Sequence, residues 1–86
     1  MNKQEEILTI LQEECAEVIQ AVSKVRRFGL DNNVTELKKE VADLLCMIDI
    51  LLVSDIVAYG EDELDMMKYN KVLKLKKFSR IYDSNS

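Results

Sequence analysis

The chain has 86 residues with no histidine, proline or tryptophan, which is room for one domain that alone buries only about 60–65% of its unfolded surface. At 48% apolar and 33% charged it is too hydrophobic for a disordered tail, and two cysteines without histidine argue against a zinc cluster, a disulfide scaffold and Ser–His or Cys–His nucleophiles. The net charge of -4 divides into -9 over residues 1–67 (15 acids, 6 bases) and +5 over residues 68–86 (1 acid, 6 bases), an acidic body with a basic tail rather than a nucleic-acid module.

Three helices follow from the hydrophobic periodicity, and no alternation of period two marks a strand. The first is expected over Lys3 to Phe28, with Gly29 as its stop and Arg26 and Arg27 favourable in its last turn. Ile7, Leu11, Val18, Val22 and Val25 form its apolar stripe. After a short polar loop, the second is expected from Val34 or Thr35 to Tyr59, with Asn33 or Thr35 as cap and Gly60 as terminator. From Val41 to Ala58 its apolar residues surround the axis, so it needs cover on all sides. Two other short helices cannot supply that, and a second protomer is expected to. Asp55 falls on the line of Leu37, Val41, Leu44 and Ile48, where an ion pair across a subunit contact would suit it. The third helix is expected from Glu61 or Asp62 to Arg80, with Met67, Val72, Leu75, Phe78 and Tyr82 as a packing line. One all-α domain over residues 1–86, with a frayed tail from about residue 82, is the resulting expectation. Cys15 and Cys46 read as small buried apolar residues.

Asp43, Asp49 and Asp55 interrupt the most apolar region, so no stretch of about 18 apolar residues exists, and MNKQEEILTI lacks a leader pattern. A soluble, cytoplasmic protein without a membrane or nucleic-acid partner is expected.

The informative residues are acids in awkward places. At about 100° per residue, Glu14 falls inside the first helix's apolar stripe, Glu17 lies at its edge and Glu13 further round. Glu40 and Asp43, three apart, share one face of the second helix. Acids at this spacing are common on solvated faces, which is the rival reading for Glu13. Beside apolar surface they repel and resist desolvation unless a cation neutralises them. Two antiparallel helices would bring the pairs into one cluster of oxygen ligands, which suits Mg²⁺ or Mn²⁺. Such an ion shared with phosphate oxygens implies hydrolysis of a phosphate ester or anhydride.

EExxE at Glu13, Glu14 and Glu17, followed after a loop by ExxD at Glu40 and Asp43, resembles the MazG-type nucleotide pyrophosphohydrolases. These belong to the all-α NTP pyrophosphatase superfamily, alongside dimeric dUTPases and phosphoribosyl-ATP pyrophosphohydrolase. The resemblance covers residues 7–59 well and the tail loosely, and SKVRRFG at 23–29 is similar to small phage-type and bacterial members. It implies Mg²⁺-dependent cleavage of a nucleoside triphosphate to monophosphate and pyrophosphate, in the service of nucleotide-pool control. The metal would rest on Glu14, Glu17, Glu40 and Asp43, while Glu13 would orient or deprotonate the attacking water or support the metal-bound acids from behind. It also implies a homodimer or homotetramer of four-helix character. Lys24 and Arg27 lie two and three turns beyond Glu17 and would reach phosphate oxygens, or equally serve as favourable charge at the helix end. Among the basic residues of the third helix, Lys74 and Lys77 are candidates for phosphate, and Asn70 for base or ribose. A dUTP-, dCTP- or phosphoribosyl-ATP-specific enzyme, or a non-enzymatic helical oligomerisation module, are the alternatives.

Overall fold

A computed structural model describes residues 1–84. It contains α1 (Lys3–Phe28), α2 (Val34–Val53) and α3 (Glu63–Phe78), with no strand among the described residues. None of the helices is long and apolar enough to cross a membrane.

Local chemistry sets each boundary. At the start of α1 the Asn2 carboxamide oxygen accepts from the Glu5 N–H at 2.8 Å, and its NH₂ donates to the Glu5 carboxylate at 3.2 Å. This reciprocal arrangement satisfies an N–H left over by the helix geometry. Gly29 ends the helix, donating to the Val25 carbonyl with φ 93° and ψ 159°, a region essentially closed to residues with a Cβ. The Asn33 side chain donates to the Gly29 carbonyl at 2.8 Å and so closes the loop from inside rather than capping α2. Lys24 on α1 grips both oxygens of Glu36 on α2, at 3.0 and 3.2 Å, just before the turn.

α2 stops at Val53, six residues before the expected Tyr59. The Ser54 hydroxyl donates back to the carbonyls of Ile50 and Leu51 at 2.7 and 3.1 Å, and Asp55 takes a left-handed φ of 58°. A side chain that satisfies the last carbonyls favours termination over another turn. The apolar run from residue 56 to 59 is therefore a connector, and Asp55 stands in a turn rather than on the α2 face assigned to it from sequence. α3 begins at Glu63, whose carboxylate accepts from the Gly60 N–H at 2.8 Å, and ends at Phe78, where the Ser79 hydroxyl turns back to the Leu75 carbonyl. Of its expected packing line, Val72 and Leu75 are half-buried, while Met67, Phe78 and Tyr82 are exposed. The frayed tail expected from residue 82 falls partly on residues 85–86, outside the described residues; Asp83 itself closes a turn with Arg80.

α1 and α2 form an antiparallel hairpin, and α3 packs against neither. The inward positions of α1 are Ile7, Leu11, Glu14, Val18, Ala21 and Val25; those of α2 are Leu37, Glu40, Leu44, Met47 and Leu51. Both sets alternate steps of three and four, the spacing that keeps one seam facing a partner helix. Ala21, not the expected Val22, occupies the seam and is 1% exposed.

The hairpin and α3 make a single layer. The backbone spans 45 × 32 × 16 Å, and a helix with side chains is about 10–12 Å across. The radius of gyration is 16.0 Å, against about 12 Å for a compact chain of this length. The accessible surface is 7237 Å², against about 5,200 Å² for a folded monomer of this mass. Ile19 and Val53 are 69% and 84% exposed, and Leu45 is more than half exposed. Cys15 and Cys46, expected to be buried, are exposed as well.

Gly29 supplies the first test. A Cβ there meets nothing within 4 Å, so Gly29→Ala changes the backbone alone. It is expected to lower stability by about 1–3 kcal/mol in denaturant unfolding. No loss would mean that the turn tolerates another conformation.

Candidate metal centre

The seam that joins α1 to α2 also carries the unusual acids. Glu14 and Glu40 occupy seam positions, one on each helix, and Asp43 follows Glu40 by three residues. Carboxylate oxygens of Glu14, Glu40 and Asp43 all lie within 4.8 Å of one another. Glu40 is 8% exposed, the one charged residue buried among those described, while Glu14 and Asp43 are half-buried. Glu17, one turn beyond Glu14, is exposed, yet its carboxyl comes within hydrogen-bonding reach of Glu40.

Electrostatics mark the cluster as under-neutralised. The Glu17 carboxyl is held above the ordinary carboxylate range, first by its hydrogen bond with Glu40, then by the charges of Glu40 and Glu14. Two carboxylates this close favour retention of a proton on one of them. Lys39 opposes the trend, its ammonium donating to Asp43 Oδ2 at 2.9 Å and lying 3.5 Å from Glu40 Oε1. Those contacts raise the Lys39 ammonium above its usual value, with Asp43 the larger cause. One ammonium does not balance four acids. Glu14 Oε2 and Glu40 Oε2 remain buried without any hydrogen-bond partner.

An uncompensated buried carboxylate oxygen is unstable relative to solvent unless a cation or donor reaches it. The donor set is entirely carboxylate, with no nitrogen or sulfur, which fits a hard divalent ion such as Mg²⁺ or Mn²⁺. Glu14, Glu40 and Asp43 are placed to hold it, and Glu17 stands beside Glu40.

The other candidates do not belong to this converging group. Glu13 is exposed on α1. Lys24 is engaged with Glu36 near the turn, and the Arg27 guanidinium lies 4.9 Å from the centre of the Phe28 ring. Asn70, Lys74 and Lys77 are exposed on α3, with Lys77 over the Phe78 ring at 5.3 Å. Because α3 packs on neither acid-bearing helix, a single chain does not bring these three to the carboxylates. Sequence reasoning missed Lys39, although its spacing of four from Asp43 is the signal for an ion pair along a helix.

Comparison with known proteins agrees with the motif. A family model described as the MazG nucleotide pyrophosphohydrolase domain matches residues 2–80, and the chain belongs to that family. No curated protein and no solved structure shows a significant match.

The raised Glu17 carboxyl sets the sign of a pH dependence. Its contribution to stability is complete below the ordinary carboxylate range and is lost as pH rises through the raised value. The metal-free protein is therefore expected to melt at a lower temperature at about pH 7 than at about pH 5. Glu40→Gln removes the buried charge and is expected to raise the melting temperature of the metal-free protein by several degrees at neutral pH. Added Mg²⁺ should stabilise the unaltered chain and not the variant. A metal-free protein indifferent to both pH and Glu40→Gln would show that the acids are relaxed without a cation.

Proposed function

We propose that this chain, a member of the MazG nucleotide pyrophosphohydrolase family, hydrolyses nucleoside or deoxynucleoside triphosphates to monophosphate and pyrophosphate in a Mg²⁺-dependent reaction, with Mn²⁺ the second fitting ion. The observation that carries the reading is the convergence of Glu14, Glu40 and Asp43 with two buried carboxylate oxygens lacking any partner. Bound to these acids, the divalent ion supplies charge neutralisation on phosphate oxygens and lowers the pKa of a coordinated water.

The chain's own groups divide the remaining work. The seam holds Glu14 and Glu40 in a fixed separation, so the ligand set is organised before substrate arrives. Glu13 orients the attacking water and takes its proton. As the water oxygen bonds to one phosphorus of the α–β anhydride, the bridging oxygen leaves on the other with the bonding electron pair. Lys24, Arg27, Lys74 and Lys77 are proposed to meet phosphate oxygens, and Asn70 the base or sugar. Lys24 would do so by releasing Glu36.

A homo-oligomer completes this reading. A single layer 16 Å thick, with surface well above that of a compact monomer, supports packing of a second copy on the exposed hairpin face. The basic α3 of one copy then has an acidic hairpin of another to approach. A nucleotide-handling role places the protein in the cytoplasm. A purely structural helical module is disfavoured, because it has no use for buried unpaired carboxylates in its seam.

Incubation with each NTP and dNTP, with Mg²⁺ or EDTA, tests the reaction. Monophosphate and pyrophosphate are expected only with metal. Glu14→Gln and Asp43→Asn are each expected to lower turnover at least about a hundredfold with helical content retained. Diphosphate and phosphate as products would overturn the choice of bond. Near-native turnover in either variant would overturn the ligand assignment.

A further inference from the structure

Lys39 lies on α2 immediately before Glu40 and one turn before Asp43. Its ammonium is committed to both, at 2.9 Å to Asp43 and 3.5 Å to Glu40, yet its side chain remains 67% exposed. The bonded Asp43 oxygen belongs to one of the three carboxylates that converge. The opposite side of the cluster has the reverse problem, with Glu14 Oε2 and Glu40 Oε2 buried and unpartnered. Positive charge thus reaches the solvent side of the cluster and not its buried side. Lys38, the neighbouring lysine, is exposed and forms no ion pair among the described residues.

We propose that Lys39 is a built-in counter-ion that sets the metal affinity of the acid cluster. It holds Asp43 and Glu40 together while no divalent ion is bound, and it must yield Asp43 when one binds. This rests on the metal reading given above. Two consequences follow from charge alone. A divalent ion near Asp43 is repelled by an ammonium at bonding distance from the same carboxylate, so Lys39 weakens metal binding. Without the ion, the same ammonium relieves carboxylate repulsion, so Lys39 stabilises the metal-free fold. A long, exposed stem lets the ammonium swing to water without disturbing the seam.

The two effects have opposite signs, which separates this role from a passive surface ion pair or from a residue that merely positions Asp43. Calorimetric titration of the nucleotide-free protein with Mg²⁺ and Mn²⁺ is the test, alongside melting of the metal-free protein. Lys39→Met is expected to tighten metal binding by about three- to tenfold and to lower the metal-free melting temperature. Lys38→Met, an equal change in net charge, is expected to shift affinity less than about twofold, since solvent and salt screen a more distant charge. Lys39→Arg, which keeps the charge, is expected not to tighten binding. Unchanged or weaker binding in Lys39→Met, or equal shifts in the Lys38 and Lys39 variants, would overturn the proposal while leaving the metal site standing. Absence of metal binding by the unaltered chain would overturn the metal reading and this proposal together.

Discussion

The seam of the α1–α2 hairpin carries one glutamate from each helix, Glu14 and Glu40. At those positions a leucine would join α1 to α2 with no electrostatic cost. Glu14 and Glu40 instead bring like charges into the seam between the helices, and each leaves one oxygen without a partner. Burying an ion without compensation is among the most unfavourable changes available to a small protein. The chain retains it, and the compensation present, a single lysine at the solvent side, is incomplete. That imbalance leaves the cluster short of positive charge at a defined spot, which a hard divalent ion would supply.

The remaining architecture holds these acids in register. The Asn2 cap fixes where α1 begins, and the Gly29 turn and the Lys24–Glu36 bridge set how α2 folds back along it. Small Ala21 and the leucines of α2 let the helices approach closely on either side of the acids. The hairpin's outer face stays largely uncovered, and α3 stands off from it.

Much of this was legible in the sequence, for identifiable reasons. α1 matched its expected span to the residue, since the apolar periodicity and the glycine stop agreed. Glu14 stood out because one carboxylate interrupted a regular apolar line, and the ExxD spacing put Glu40 and Asp43 on a shared face. The end of α2 was misread because hydrophobicity continues through Ile56 and Val57. What stops the helix is a serine hydroxyl and a left-handed aspartate, a local hydrogen-bond choice that periodicity does not register. The depth of Glu40 was missed because burial there is decided by pairing with α1, not by its neighbours on α2. Cys15 and Cys46 looked buried because residue type was the guide, whereas exposure is decided by what packs over each position.

The acids of the hairpin seam are proposed to form a divalent-cation site. Anomalous diffraction from crystals of the protein grown with Mn²⁺ tests it most directly. The expected result is one strong peak bounded by carboxylate oxygens of Glu14, Glu40 and Asp43, within about 2.5 Å of each. A peak elsewhere, or none at saturating Mn²⁺, would contradict the account.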